Sequence, residues 1–231
     1  AGLCTHFASA DLTDPQPTEG ALAQLRAGIA RAEQLGFRDL INHAANSAAA
    51  VRFPAARLDA VRPGLALYGA MPSELVTLAG IEGTLALRTR VMAVRDVAPG
   101  TGVSYGGIWR ASRPSRVATL PVGYADGYPR HVRGAAVLLG GRRFPIVGAV
   151  CMDMLMIDVT DLPADALEGP VTLIGRDGDE EITVDDLARW AGTISYEILC
   201  GISKRVPRVL TDAAIVPPPP AGRAPKPTGA R

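Results

Sequence analysis

Residues 1 to about 70 alternate short apolar runs with a segment of helical periodicity. The runs cover residues 2–7, 39–42 and 58–61, and each is followed by polar residues. Between the first two, apolar side chains recur at helical spacing before a glycine that ends the repeat: Leu22, Leu25, Ile29, Ala32 and Gly36. Strands that alternate with helices predict a parallel β/α array whose ligands lie at the carboxyl ends of the strands. If the array is barrel material, about five strands of an eight-stranded barrel are missing.

After about residue 75, short β-type runs follow one another between Gly, Pro and Asp turns, which predicts a second, all-β domain. The runs cover residues 87–97, 117–121, 135–139, 144–150, 155–159 and 171–174. One helix is expected over residues 184–190, with Thr183 and Asp186 in a capping arrangement and Gly192 beyond its end. A second short helix over residues 196–200 is expected to start behind Ser195. From Pro217 onward the chain has nothing apolar to bury, which favours disorder.

The composition excludes several kinds of partner. The chain has 231 residues, of which 48% are hydrophobic, and a formal net charge of +1. Basic residues form no dense stripe, and no apolar run approaches the roughly 20 residues that span a bilayer, so we predict neither a nucleic-acid nor a membrane partner. The 3 cysteines and 3 histidines lack metal-ligand spacing, so no metal site is predicted. The N-terminus shows no secretion-signal pattern, which favours a cytoplasmic location. It also has no initiator Met, so the chain resembles the middle of a longer protein.

The first candidate for chemistry is a tyrosine between a small polar residue and two glycines, in Val103-Ser104-Tyr105-Gly106-Gly107. Glycine lets the backbone turn sharply and approach a ligand closely, so a large side chain in this setting tends to be displayed. On local sequence alone, a turn tyrosine that covers an apolar edge is the more common outcome. The rest of the chain has to decide between these interpretations.

Two strand-to-helix junctions form a second candidate site. Asn46 and Ser47 open a helix after one expected strand, and Gly64 with Leu65 follows the next. Backbone N–H groups at a helix start, a hydroxyl and a glycine make a plausible phosphate cradle, although an ordinary N-cap explains the same spacing. Nearby Arg62 and His6 end neighbouring elements and could project into the same mouth, where a structural hydrogen-bonding role is the more common one.

Seven blocks, in order, resemble the alanine racemase family over nearly the whole chain up to about residue 211. The blocks are Thr5-His6-Phe7-Ala8-Ser9-Ala10-Asp11, His43-Ala44-Ala45-Asn46-Ser47-Ala48, Arg62-Pro63-Gly64-Leu65-Ala66-Leu67-Tyr68-Gly69, Val103-Ser104-Tyr105-Gly106, Pro121-Val122-Gly123-Tyr124-Ala125-Asp126-Gly127, Cys151-Met152-Asp153-Met154 and Ile194-Ser195-Tyr196-Glu197. The resemblance implies an isomerase that uses pyridoxal 5'-phosphate to interconvert L-alanine and D-alanine for the bacterial cell wall. It also implies a cytoplasmic, head-to-tail homodimer. The implied fold is the C-terminal part of a β/α (TIM-type) barrel in residues 1–75, a mainly β domain in residues 76–216 and a disordered tail in residues 217–231.

Matching positions carry the implied roles. Tyr105 would be one of two acid/base groups that flank the substrate, and it would act in the active site of the partner subunit. Met152 would donate a backbone N–H to the substrate carboxylate, and Tyr124 would line the entrance. The residues implied to hold the cofactor are His6, Asn46, Ser47, Arg62, Gly64, Leu65 and Tyr196. Those implied to line the outer entrance corridor are Asp11 and Arg130.

The chain departs from the family pattern at the lysine that carries the cofactor. Its lysines are Lys204 and Lys226, and neither matches that motif. Ala149 stands where the family often has an arginine, three residues before Met152. The chain therefore resembles the C-terminal portion of a racemase, and we predict that alone it does not racemise alanine. The alternative is a non-catalytic binding or assembly module that has lost the lysine. The joint retention of Tyr105, His6, Arg62, Ser47 and Tyr196 favours the enzyme, because a module freed from catalysis has no physical need of all five.

Overall fold

The computed structural model describes residues 1–73, 75–163 and 167–211. The tail predicted over residues 217–231, the last five positions of the predicted β domain and Lys226 lie outside these ranges. Among the helices of the described ranges, none combines the length and the apolar character needed to cross a bilayer.

The N-terminal part contains parallel pairing at the three expected strand positions. Cys4 pairs with His43, and His43 pairs with Ala60, each as an isolated parallel bridge. Part of the inter-strand bonding passes through a side chain, because the Asn42 N–H donates to Asp59 Oδ2 at 2.8 Å. A side chain that accepts from a neighbouring strand replaces the regular ladder, which accounts for single bridges where the sequence suggested strands of several residues. The order and the parallel sense agree with the expected array.

Two helices cover this part. α1 spans Gln16–Gln34 and ends where expected, with Gly36 at a φ of 92°. α2 spans Ser47–Arg52, and 3₁₀ turns follow at Pro54–Ala56 and Leu65–Tyr68. The helices pack small and apolar side chains into one buried cluster, whose members are Phe7, Ala10, Leu22, Leu25, Ala44, Ala45, Ala48, Ala49, Ala56 and Val76. The many alanines bring helix and strand backbones close together, which fixes the loops at the strand ends.

The C-terminal part is an antiparallel β domain. Its strands are β1 Leu87–Arg90, β2 Ala93–Val97, β3 Gly102–Val103, β4 Trp109–Arg110, β5 Ser115–Leu120, β6 Ala136–Leu139, β7 Arg142–Val147, β8 Leu155–Asp158, β9 Pro170–Asp177 and β10 Glu180–Ile182. Eight of them form one sheet in the order β1-β9-β6-β7-β8-β5-β2, with β10 paired to β9, while β3 and β4 form a separate two-stranded hairpin. Consecutive strands β1 and β2 stand at opposite ends of this order, so the sheet curls until its ends meet.

The structure corrects one expectation about this sheet. The run over residues 87–97 is not one strand, because β1 pairs with β9 whereas β2 pairs with β5. The short strands β3, β4 and β10 were not expected from the sequence. The predicted β-runs at β5, β6, β7, β8 and β9 are confirmed within a few residues.

Two helices close the β domain. α3 spans Val184–Ala191, and its Thr183–Asp186 capping box and the left-handed Gly192 are confirmed. α4 spans Ser195–Gly201, so Ser195 is its first residue and Ile194 its N-cap. Both helices bury apolar side chains against the sheet, among them Val184, Leu187 and Ile198. The β domain therefore has its own core, and α4 is held on its surface.

Candidate active site

Arg62 lies just beyond the last parallel bridge, and its guanidinium reaches across the ends of three chain segments. Nη2 donates to the carbonyl of Thr5 at 2.9 Å and to that of Ala44 at 3.1 Å, and Nη1 lies 2.6 Å from His43 Nδ1. A guanidinium has donors only, so His43 Nδ1 is the acceptor and this imidazole carries its proton on Nε2. Three acceptors fix a half-buried side chain in one orientation.

The histidine that contacts this arginine is His43, whereas the sequence analysis named only His6 as a histidine that could project into the same mouth as Arg62. His6 is exposed, and its ring makes no hydrogen bond within the residues that the structure describes. His43 entered the sequence analysis only as the first residue of a motif. The available signal was its position: parallel register places it beside Cys4 and Ala60, and hence next to Arg62. The wider role expected for His6 at the cofactor remains a prediction.

Asn46 is the N-cap of α2, which confirms the expectation of an ordinary N-cap at this position. Its Oδ1 accepts from the Ala49 N–H at 3.0 Å, and its Nδ2 donates to the Phe7 carbonyl at 3.1 Å. The amide therefore ties the start of α2 to the neighbouring strand end. This cross-link fixes the direction in which the first N–H groups of the helix point.

Ser47 joins the start of α2 to the start of the next 3₁₀ turn. The residue is 2% exposed, and its Oγ accepts from the Ala66 N–H at 3.2 Å. Gly64 precedes this turn, is exposed, and has open space where a Cβ would stand. Leu65, beside it, is buried. Two short helix starts thus converge on one open glycine, an arrangement of N–H donors suited to a phosphate.

Tyr105 stands at the tip of the β3–β4 hairpin. Its side chain is 76% exposed. The flanking backbone is unusual, because both Ser104 and Gly106 have positive φ, at 64° and 72°. The displayed-side-chain interpretation is therefore confirmed for the exposure of this phenol. Within the described ranges, no hydrogen bond joins the phenol to the Arg62 network.

Tyr124 and Met152 lie together on the same domain. The Tyr124 N–H donates to the Cys151 carbonyl at 3.1 Å, and the Ala125 N–H donates to the Met152 carbonyl at 2.8 Å. Gly123 makes this approach possible, since a Cβ there would stand 2.3 Å from the Cys151 oxygen. The two implied substrate contacts are thus fixed to each other through the backbone, while their side chains stay 40% and 57% exposed.

Tyr196 connects the two parts of the chain. It lies in the first turn of α4, and burial together with the negative charge of Asp11 raises its pKa. The structure therefore brings an implied cofactor residue of the β domain close to an implied corridor residue of the N-terminal part.

Arg130, the other implied corridor residue, lies elsewhere, in an open cleft of about 800 Å³ that Tyr105 also lines.

The fold and these positions define a class: a partial β/α barrel with a fixed arginine and a helix-start cradle at its strand ends, followed by a β domain that displays a tyrosine. The chain belongs to the alanine racemase family. Residues 1–72 match the family description "Alanine racemase, N-terminal domain", and residues 84–210 match "Alanine racemase, C-terminal domain".

Individual relatives agree with this assignment. The chain is 46% identical over 209 residues to the alanine racemase of Halothermothrix orenii, covering 90% of this chain and 55% of that protein. It is 40% identical over 210 residues to that of Methanococcus maripaludis, covering 90% and 56%. The chain thus spans just over half the length of these relatives.

Solved structures confirm the fold class. Alanine racemase from Bacillus anthracis with bound L-Ala-P is 38% identical and superimposes with a TM-score of 0.84, covering 94% of this chain and 57% of that one. The enzyme from Streptomyces coelicolor has the same identity and TM-score, with 90% and 55% covered. The chain is part of a β/α barrel followed by a mainly β domain.

Proposed function

We propose that this chain supplies part of the active site of a pyridoxal-phosphate-dependent alanine racemase. The observation that carries the proposal is the fixed Arg62 guanidinium beside the Ser47–Gly64 cradle at the ends of the parallel strands. Family membership supports alanine as the substrate and two-base proton transfer as the reaction. The expectation of a cytoplasmic location stays a prediction.

The residues present fit the phosphate and the ring of the cofactor. Ser47 and Leu65 would offer N–H groups at two helix starts, Gly64 leaves open space between them while its own N–H donates to the Arg62 carbonyl, and Tyr196 would add a phenol from α4. Arg62 would donate to the pyridine nitrogen. When bound, pyridoxal phosphate supplies an electron sink for the negative charge left at Cα after proton removal.

Arg62 also limits how far that sink is used. A guanidinium does not give up its proton in proteins, so it can hydrogen-bond the ring nitrogen but not protonate it. The three acceptors that hold Arg62 strengthen this by keeping the positive charge in place. We infer that the arrangement suppresses side reactions that need a more electron-deficient ring.

Tyr105 would move the proton on one face of the substrate. A free phenol has a pKa of about 10, so a phenol that serves as a base near neutral pH needs positive charge beside it. The proposed source is the Arg62 region of a second copy of the chain, because within the described ranges the exposed hairpin tip makes no hydrogen bond to the Arg62 region of its own chain. Met152 supports the same arrangement, since its N–H has no acceptor within the described residues and is free for a carboxylate.

Racemisation by the native gene product tests the function. Chiral chromatography should show conversion of L-alanine to D-alanine, and Tyr105→Phe should lower kcat by about a hundredfold or more, since general acid–base catalysis contributes that much. Tyr68→Phe, which removes an exposed phenol in the N-terminal part, is the matched control and should leave kcat unchanged. A native product that binds pyridoxal phosphate but leaves alanine unchanged would instead favour the non-catalytic module.

Mixing variants tests the shared site. Tyr105→Phe and Arg62→Ala should each be strongly impaired alone. A mixed dimer has one site with an intact Arg62 from one subunit and an intact Tyr105 from the other, so mixing should restore part of the activity. If the phenol served its own chain, mixing would restore none.

The 231-residue chain on its own is proposed to be inactive. The lysine within the described ranges, Lys204, is exposed in a turn after α4 whose neighbours Ser203 and Arg205 contact Asp126. That turn belongs to the β domain and is not at a strand end of the barrel part. Alanine racemisation by the purified chain, free of any longer product, would contradict this proposal.

A further inference from the structure

The Tyr105 turn is attached to the Met152 segment through one half-buried polar cluster. The Ser104 Oγ donates to the Ala149 carbonyl at 2.7 Å and lies 3.3 Å from Cys151 Sγ. The Cys151 thiol also reaches the Ala149 carbonyl, at 3.6 Å. We call these three groups, the Ser104 hydroxyl, the Cys151 thiol and the Ala149 carbonyl, the clamp.

Ser104 occupies a backbone conformation that favours glycine. Its φ is 64° and its ψ is −175°, a combination that is strained for any residue with a Cβ. A serine keeps this conformation only if something else holds it there. The hydrogen bond to the Ala149 carbonyl holds it there. The two segments can approach this closely only because residue 148 is a glycine: a Cβ at Gly148 would stand 2.6 Å from the Val103 oxygen.

The clamp continues to the substrate contacts. Cys151 precedes Met152, and their carbonyls accept from the N–H groups of Tyr124 and Ala125 at 3.1 and 2.8 Å. A displacement of Ser104 would therefore move the 149–152 segment and the Tyr124 turn with it. The positions of three displayed side chains, Tyr105, Tyr124 and Met152, therefore depend on this one half-buried connection.

We propose that Ser104 and Cys151 are positioning residues: their clamp sets the Tyr105 phenol relative to the Met152 N–H. The roles of Tyr105 and Met152 rest on the proposed racemase function, whereas the mechanical coupling does not. A base must lie within hydrogen-bond reach of the proton that it removes, so loss of the clamp lowers kcat more than it raises KM.

Amide hydrogen exchange on the native gene product tests the coupling without using activity. The reporters are the Gly107 N–H, bonded to the Ser104 carbonyl, and the Ala125 N–H, bonded to Met152. Ser104→Ala should speed exchange at both by about tenfold. Ser115→Ala is the matched control, because the Ser115 hydroxyl likewise donates to a backbone carbonyl, that of Arg113 at 2.8 Å, and Ser115 is even more buried than Ser104. It should change neither amide.

Further variants separate the clamp from general instability. Ser104→Gly relieves the backbone strain and removes the hydroxyl. If the clamp couples the two segments, the Ala125 amide should exchange faster in this variant. If Ser104→Ala acts only through backbone strain, Ser104→Gly should leave exchange at Ala125 unchanged. Cys151→Ser keeps a polar hydrogen and should behave like wild type, whereas Cys151→Ala should resemble Ser104→Ala. Unchanged exchange at Ala125 in Ser104→Ala and Ser104→Gly would overturn the proposal.

Kinetics then distinguish the two proposals. If racemisation is observed, Ser104→Ala should lower kcat about tenfold with KM within about threefold of wild type. If exchange is coupled but no racemisation occurs, the clamp stands and the proposed function fails. If Ser104→Ala lowers kcat and KM is unchanged while exchange at Ala125 is also unchanged, the clamp is refuted and the function stands.

Discussion

Replacing His43 by alanine tests whether its imidazole orients Arg62. The substitution removes one of three acceptors around the guanidinium, the one 2.6 Å from Nη1. A hydrogen bond to a charged group contributes about 1.5–3 kcal/mol, and the two remaining carbonyls favour the lower end, about 1.5 kcal/mol. Since about 1.4 kcal/mol corresponds to a factor of ten, we expect cofactor affinity to fall about tenfold.

A matched variant separates the side chain from the backbone. His43→Asn places an amide oxygen close to where Nδ1 stood, so it keeps an acceptor for Arg62. Both variants keep the main-chain bond from the residue 43 N–H to the Leu3 carbonyl, which measures 3.1 Å. We therefore expect His43→Asn to bind within about threefold of wild type.

The assay is titration of the native gene product, freed of cofactor, with pyridoxal phosphate, followed by absorbance. Thermal unfolding of the unloaded variants is the control for misfolding. Wild-type affinity in His43→Ala would refute the orienting role. Equal losses in the alanine and asparagine variants would show that the imidazole does something other than accept from Arg62.

Three further outcomes test other parts of the chain. Tyr128→Phe removes a hydroxyl that is buried without a partner in the described residues, where burial also raises the pKa of Tyr128; we expect a gain of about 1 kcal/mol and a melting temperature about 2–4 °C higher, and a lower one would contradict this. At Asp186, burial acts to raise the pKa, but hydrogen bonds from Thr183 and its pairing with Arg189 outweigh it and lower the pKa. A carboxylate with a depressed folded pKa stabilises the fold above its unfolded pKa of about 3.9 and loses that contribution as pH falls through the folded pKa, so urea unfolding should show Asp186→Asn destabilised at pH 7 and the deficit shrinking below about pH 4; a deficit independent of pH would exclude this cause. Gly123→Ala would place a Cβ 2.3 Å from the Cys151 oxygen, so it should separate the Tyr124 turn from Met152 and lower kcat about tenfold or more, and wild-type kinetics would argue against that contact.

Local signals in the sequence predicted the helices well. The end of α1 before Gly36 and the capping box at Thr183 depend on residues within one or two turns of each other, so a short stretch of sequence contains the whole cause. Strand pairing depends on partners far along the chain. Residues 87–97 are split between β9 and β5 because they pair with strands at opposite ends of the sheet order, and no pattern inside those residues reports this.

The hairpin that carries Tyr105 was missed for a related reason. β3 and β4 have two residues each, too few for an alternation of period two to be recognised. Glycines around the tyrosine still predicted a displayed side chain correctly, because positive φ at such positions is a local property. What glycines cannot report is the support beneath the turn, since the Ser104 and Cys151 contact joins positions 47 residues apart.

His43 shows the same limit at the other half of the site. A histidine and an arginine 19 residues apart become neighbours only because parallel strands end at one edge of the sheet. The resemblance to the family supplied the residue set and the sequence analysis placed His6 near Arg62, but neither identified His43 as the imidazole that the guanidinium contacts. Because a guanidinium has only donors, the contact in the structure gives information that the sequence could not. It fixes the tautomer of His43. The positive charge at the strand ends is held in place by three acceptors from two neighbouring segments, the Thr5 carbonyl and the His43–Ala44 pair, and not by Arg62 alone.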